Sequence, residues 1–168
     1  MDQPTDQDTD SLQLQRRLDQ LQSQMDLMKK ASARDQAIAR VRDSVWRMVS
    51  DGDIGYVLNS VGESLVELGI AHRKCEINLI DDLVNPNLVV AHATRGGDDW
   101  DNTDAHFFNR TVIGFWQEKK PVYRSDLAKE DLFGEAKLLS RGIRSVIDVP
   151  FSHGTLAVNS CEPSAFQP

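Results

Sequence analysis

Two cysteines, four histidines and one short acidic run are the residues of this chain suited to covalent or metal chemistry. Their spacing assembles no site. Cys75 and Cys161 are too few for a disulfide framework or for a zinc site of their own, and they read as two reduced thiols. His72, His92, His106 and His153 include no pair at the i, i+4 or short-loop spacing of a metal centre. His72 and His153 fall in turns. Asp98-Asp99-Trp100-Asp101 is acidic enough to attract calcium but lacks the ligand pattern of a calcium loop, so it reads as a solvated lid. Arg110 and Arg124 offer a different chemistry, because guanidinium forks match carboxylate and phosphate.

The elements that must position these groups are legible from periodicity. The chain has 168 residues, 40% of them hydrophobic, which suits one domain plus an appendage. Residues 2–10 carry four Asp and no apolar side chain, and 1–10 is expected to be disordered. Leu14, Leu18, Leu21, Met25 and Met28 then follow at spacings of 4, 3, 4 and 3, a heptad seam. No Gly or Pro interrupts residues 5–51, so a single helix of about 40 residues, roughly 60 Å long, is expected. A helix of that length has no core of its own and must be paired, which predicts a homodimer through residues 11–49. Past Met28 the seam loses phase, and Ile38, Val41, Val45 and Met48 form a second apolar set. Residues 29–37 are therefore expected to be either a torsionally soft joint between two registers or a static stutter absorbed by a gentle change of supercoil.

Ser50-Asp51-Gly52-Asp53 reads as a stop and a new N-cap. Ile54 to Leu68 repeats at helical spacing, with Gly69 as the C′ residue. Alternation then predicts strands over 74–80 and 88–94, a helix over 107–120, a short strand over 121–124 and a helix over 131–142. A final hairpin over 145–151 and 154–160 closes the pattern. The expected fold class is α+β with a largely antiparallel sheet and flanking helices, preceded by a long dimerising helix. The intended division is a coiled-coil or linker helix over 11–50 and a globular domain over 51–168.

The net charge of −7, from 19 basic and 26 acidic residues, opposes a nucleic-acid footprint. No apolar run approaches the ~20 residues needed to span a bilayer, and the acidic start is the reverse of a secretory signal. A cytoplasmic location is expected, with no nucleic-acid or membrane partner.

The second half contains Gly114-Phe115-Trp116 through Lys120-Pro121-Val122, Asp126-Leu127, Gly142 to Phe151, Gly154 to Ser160, and Glu162 to Phe166. With these motifs it resembles the GAF family of bacterial signalling proteins. The resemblance covers roughly residues 50–168. It implies an antiparallel sheet with helices on one face and a ligand pocket on the other, roofed by residues 92–142. It further implies a sensor upstream of an output domain, and the chain is expected to end before its output helix.

In that pocket Trp100, Phe107, Trp116 and Tyr123 would supply an apolar wall, and Arg95, Arg110, Thr111, Arg124 and Asp148 the polar contacts. Covalent bilin attachment is disfavoured because residues 76–160 contain no Cys. His92 or His106 could ligate haem, but neither identifies it. No cofactor is assigned and no catalytic residue is expected. The function expected is regulatory sensing of an unidentified small molecule, with the pocket's state coupled to the helix arrangement. Two alternatives stand beside it: a cysteine-dependent methionine-sulfoxide reductase-like GAF enzyme, and a ligand-free structural dimerisation module.

Overall fold

A computed structural model describes residues 6–87, 89–93 and 106–166. The first helix, α1, spans Asp6–Trp46, 41 residues without a break. It starts earlier than the expected Ser11. Residues 6–10 belong to it. After α1, the Asp53 carboxylate accepts the Val49 and Ser50 N–H groups at 2.8 and 3.0 Å. It thus holds the turn behind it instead of capping the helix ahead.

The second helix, α2, spans Ile54–Glu67. It ends as the sequence predicts: Gly69 has φ +71°, Ile70 N–H reaches Leu65 C=O, and Gly69 N–H reaches Val66 C=O. This is the two-bond closure that a left-handed C′ glycine permits.

Five strands follow: β1 (Lys74–Ile80), β2 (Val89–Ala93), β3 (Val122–Arg124), β4 (Ser145–Phe151) and β5 (Gly154–Ser160). Helix α3 (His106–Glu118) lies between β2 and β3, and α4 (Ala136–Ser140) between β3 and β4. The strands form one sheet of order β2-β1-β5-β4-β3, antiparallel at every pairing. The fold class is therefore α+β, with a long N-terminal helix. Helix α4 is shorter than the expected 131–142 because Gly134 takes φ +67°, which interrupts helical backbone before residue 136.

Successive strand residues face opposite sides of the sheet. One side packs on α2: Cys75 and Val158 join Ile54 and Leu58, with Ile77, Leu79, Ile147, Leu156, Met48 and Phe166 around them. The other side carries Asn78, Thr155, Ala157, Asp148, Val146 and Arg124, and α3 and α4 lie over it. At its outer end Val146 packs with Leu127, Ile143, Leu138 and Leu139.

The C-terminal half of α1 lies against α2. Ala37 is buried there, Val41 and Met48 are half-buried, and Arg40 pairs with Glu67 at 2.7 Å. The second apolar set is thus split rather than a single seam. Val41 and Met48 turn toward the body of the domain, while Ile38, Val45 and Val49 stay exposed. The first seam is open along its whole length, with Leu14, Leu18, Leu21, Met25 and Met28 between 45% and 72% exposed in the single chain.

Candidate functional site

The α3-covered face of the sheet holds a chain of polar groups running across four strands. On β1, Asn78 Nδ2 donates to Thr155 Oγ1 of β5 at 3.0 Å. Thr155 Oγ1 donates in turn to Asp148 Oδ1 of β4 at 3.2 Å. The other oxygen, Asp148 Oδ2, accepts from Arg124 Nη2 at 2.7 Å. Arg124, on β3, spends the rest of its fork on Glu135: Nε and Nη2 each donate to one carboxylate oxygen at 3.0 Å. Its Nη1 donates to the Val122 carbonyl at 3.0 Å. The guanidinium also sits 5.0 Å from the centre of the Phe115 ring of α3, a cation–π contact, and Phe115 meets Phe133 edge-on.

The Arg124 side chain is only 4% exposed. Its charge is shared by two carboxylates, the buried Asp148 and the partly buried Glu135, and the electrostatics follow from that imbalance. Burial pushes the Asp148 carboxyl above the usual range, against the opposing pull of Arg124 and Thr155, and Glu76 adds to the rise. Burial likewise raises Glu135, with Arg124 opposing and the Asp148 and Asp131 carboxylates adding.

A second pair sets the loop beside this network. Arg144 donates Nε and Nη2 to the two oxygens of Asp126, each at 2.8 Å, and this pairing holds the Asp126 carboxyl below its ordinary value. On α3, Asn109 Oδ1 accepts the Val89 N–H at 3.3 Å, which ties that helix to the edge strand β2.

The expected site residues separate into groups. Arg124 and Asp148 come together, but with each other and with Glu135. Against the expectation of an anionic ligand at Arg124 stands a fork occupied by two carboxylates and a carbonyl. Tyr123 lies on the opposite side of the sheet, where its ring meets Phe166 at 6.1 Å and its hydroxyl accepts the Phe166 N–H. Strand alternation puts neighbours on opposite faces, so Tyr123 and Arg124 cannot line one pocket.

Trp116 is half-buried on α3 and donates Nε1–H to the Phe151 carbonyl at 3.0 Å, fastening the helix to the β4–β5 hairpin. Thr111 is half-buried on the same helix and Arg110 is exposed. Phe107 is in α3, with its side chain outside the described set. Arg95 and Trp100 lie outside the described residues, as does the acidic run 98–101.

Sequence reasoning missed Asn78, Thr155, Glu135 and Asn109. The available signal was the β1 string Lys74 to Ile80, where Ile80 shares the register of Glu76 and Asn78. An apolar residue in the polar register marks a covered face, not a solvated one.

The thiols are differently placed. Cys75 is fully buried in the cluster against α2, where a substrate has no access, whereas Cys161 is exposed with Arg73 Nη1 at 3.6 Å from its sulfur. Among the described residues no group of three or more His, Cys, Asp or Glu is placed to hold a metal ion, and no helix is long and apolar enough to cross a membrane. No protein-family model matches the chain, and no curated protein matches it.

Proposed function

We propose that this chain is a GAF-type regulatory module. In this reading residues 51–168 form the sensing domain and residues 11–49 of α1 pair with a second copy. A small molecule bound on the α3-covered side of the sheet biases the helix pair, which relays the signal to an output domain in the cytoplasm. The module performs no catalysis of its own.

The observation that carries the sensing half is the buried polar network from Asn78 through Thr155, Asp148 and Arg124 to Glu135. A core built for stability alone gains little from buried ion pairs, because desolvation offsets their attraction. Polar groups gathered on one covered sheet face, against an apolar opposite face, suit selective recognition. The dimer half is supported by the open seam. Five exposed Leu and Met side chains forgo on the order of 10 kcal/mol, at about 2 kcal/mol each, unless a partner covers them.

One observation favours the ligand-free alternative: Arg124 is satisfied by protein groups alone. A thermal-shift screen of the full chain with nucleotides, amino acids and common metabolites separates the readings. A true ligand at 100 times its Kd adds about 2.7 kcal/mol of stability. A melting curve unmoved by every class leaves only a structural dimerisation module.

A further inference from the structure

The polar sheet face has an acceptor that the protein does not use. The Thr155 hydroxyl gives its proton to Asp148, so the Asn78 atom facing Thr155 must be the donor, Nδ2. That fixes the amide and turns Asn78 Oδ1 away from Thr155. Asn78 is 2% exposed, and Oδ1 has no hydrogen-bond partner among the described residues. A buried carbonyl oxygen with no donor is unfavourable, and native structures rarely keep one without a water or ligand to fill the need.

The surroundings say what sort of group would fill it. In the sheet register Ala91 stands opposite Asn78, and the next row reads Ala93, Glu76, Ala157, Asp148. Short residues flank the two carboxylates and the amide. The charged side chains gathered here are Glu76, Glu135 and Asp148 against Arg124 and Lys74, an excess of one carboxylate. Both cations are engaged, Arg124 as described and Lys74 with Glu76 at 2.6 Å. Burial already resists the ionisation of Asp148 and Glu135. Among the described residues a further negative charge therefore meets no free cation on this face, while an N–H donor meets an empty acceptor and two carboxylates.

We propose that this face, around Asn78, Thr155, Asp148 and Glu76, binds a small amine or primary amide through its N–H donors and rejects carboxylates and phosphates. The inference rests on the sensing reading and specifies its ligand class.

The test uses matched probes on the full chain. Butylamine, butyramide and butyrate form one set, and benzylamine, benzamide and benzoate a second, each at millimolar concentration in thermal-shift and calorimetric titrations. The expected result is a raised melting temperature with an amine or amide of either set and none with its carboxylate. Asn78→Leu, close in shape and without the acceptor, should abolish the shift while melting no lower than the parent. Should that variant fail to fold, Asn78→Asp serves instead and should shift the preference from amide to amine.

Stabilisation by butyrate or benzoate alone would overturn the ligand class and leave the sensing reading standing. A shift that persists unchanged in Asn78→Leu or Asn78→Asp would place binding elsewhere. Silence of all six probes would overturn the proposal. If the broader metabolite screen gave a hit at the same time, the sensing reading would survive it.

Discussion

Replacing Arg124 with alanine removes the only cation, among the described residues, that pairs with the buried Asp148 and the partly buried Glu135. Asp148 loses a 2.7 Å ion pair and Glu135 a two-pronged one at 3.0 Å, and the Phe115 ring loses its cation–π partner. Breaking a buried pair by deleting one member costs about 3–5 kcal/mol, because the remaining charge is left buried and unpaired. For a chain of this size each kcal/mol moves the melting temperature by roughly 2–4 °C, so the variant should melt about 6–20 °C lower near neutral pH.

The loss should also depend on pH, and its sign is fixed. Asp148 and Glu135 already have raised carboxyl pKa values through burial, and without Arg124 they rise further. A group with a raised folded pKa contributes stability that is complete below its unfolded pKa and is lost as pH rises through the folded value. The deficit of Arg124→Ala should therefore be largest at about pH 8 and shrink toward about pH 5, as the carboxylates take up protons. Asp126 and Asp53, whose pKa values are lowered, lose stability on acidification in both proteins and cancel in the difference. Urea denaturation across that range, followed by tryptophan fluorescence, reads the quantity directly. A deficit below about 1 kcal/mol at neutral pH, the range of an exposed ion pair, or one that grows toward acid, would refute the buried-network reasoning.

Three further outcomes are expected. Leu18→Asp with Leu21→Asp should give a monomer by light scattering at micromolar concentration, and a persisting dimer would show that the open seam is not the interface. Gly154→Ala should not yield a stable fold, since a Cβ there would lie 1.9 Å from the Asn78 carbonyl oxygen on the neighbouring strand. A variant melting within a few degrees of the parent would contradict that register. Single cysteines at Ser32, Asp35 and Ile38, with Cys75 and Cys161 replaced, should cross-link in a pattern that changes when a stabilising ligand binds. An identical pattern in both states would make α1 a passive clamp.

That last test rests on the geometry of α1. Met28 and Trp46 are 18 residues apart, five full turns at 3.6 residues each, so they lie on one line of the helix. Ile38 and Val45 form a neighbouring exposed stripe. A partner following the first seam downward thus meets Trp46 on one line and the Ile38 stripe beside it.

Much of the fold was legible because it is written locally. Gly69 ends α2, alternation delimits β1, and the β4–β5 hairpin falls on the residues its pattern indicates. Helix α4 was over-read because leucine content suggests helix while the backbone of Gly134 forbids it. The site was less legible, for a different reason. Which face of a strand is covered depends on helices distant in sequence, so alternation alone does not tell that Asn78 and Thr155 are buried. Arg124 and Tyr123, adjacent in sequence, were grouped together although strand alternation sends them apart. Glu135 gave no signal at all, because only the return of the loop before α4 brings it to Arg124.

Native mass spectrometry of the intact chain at micromolar concentration bears most directly on the dimeric sensor account, since one spectrum reports both copy number and bound mass. The account predicts two copies that take up an amine or amide probe, with uptake lost in Asn78→Leu. A single copy that binds none of the probes would contradict it.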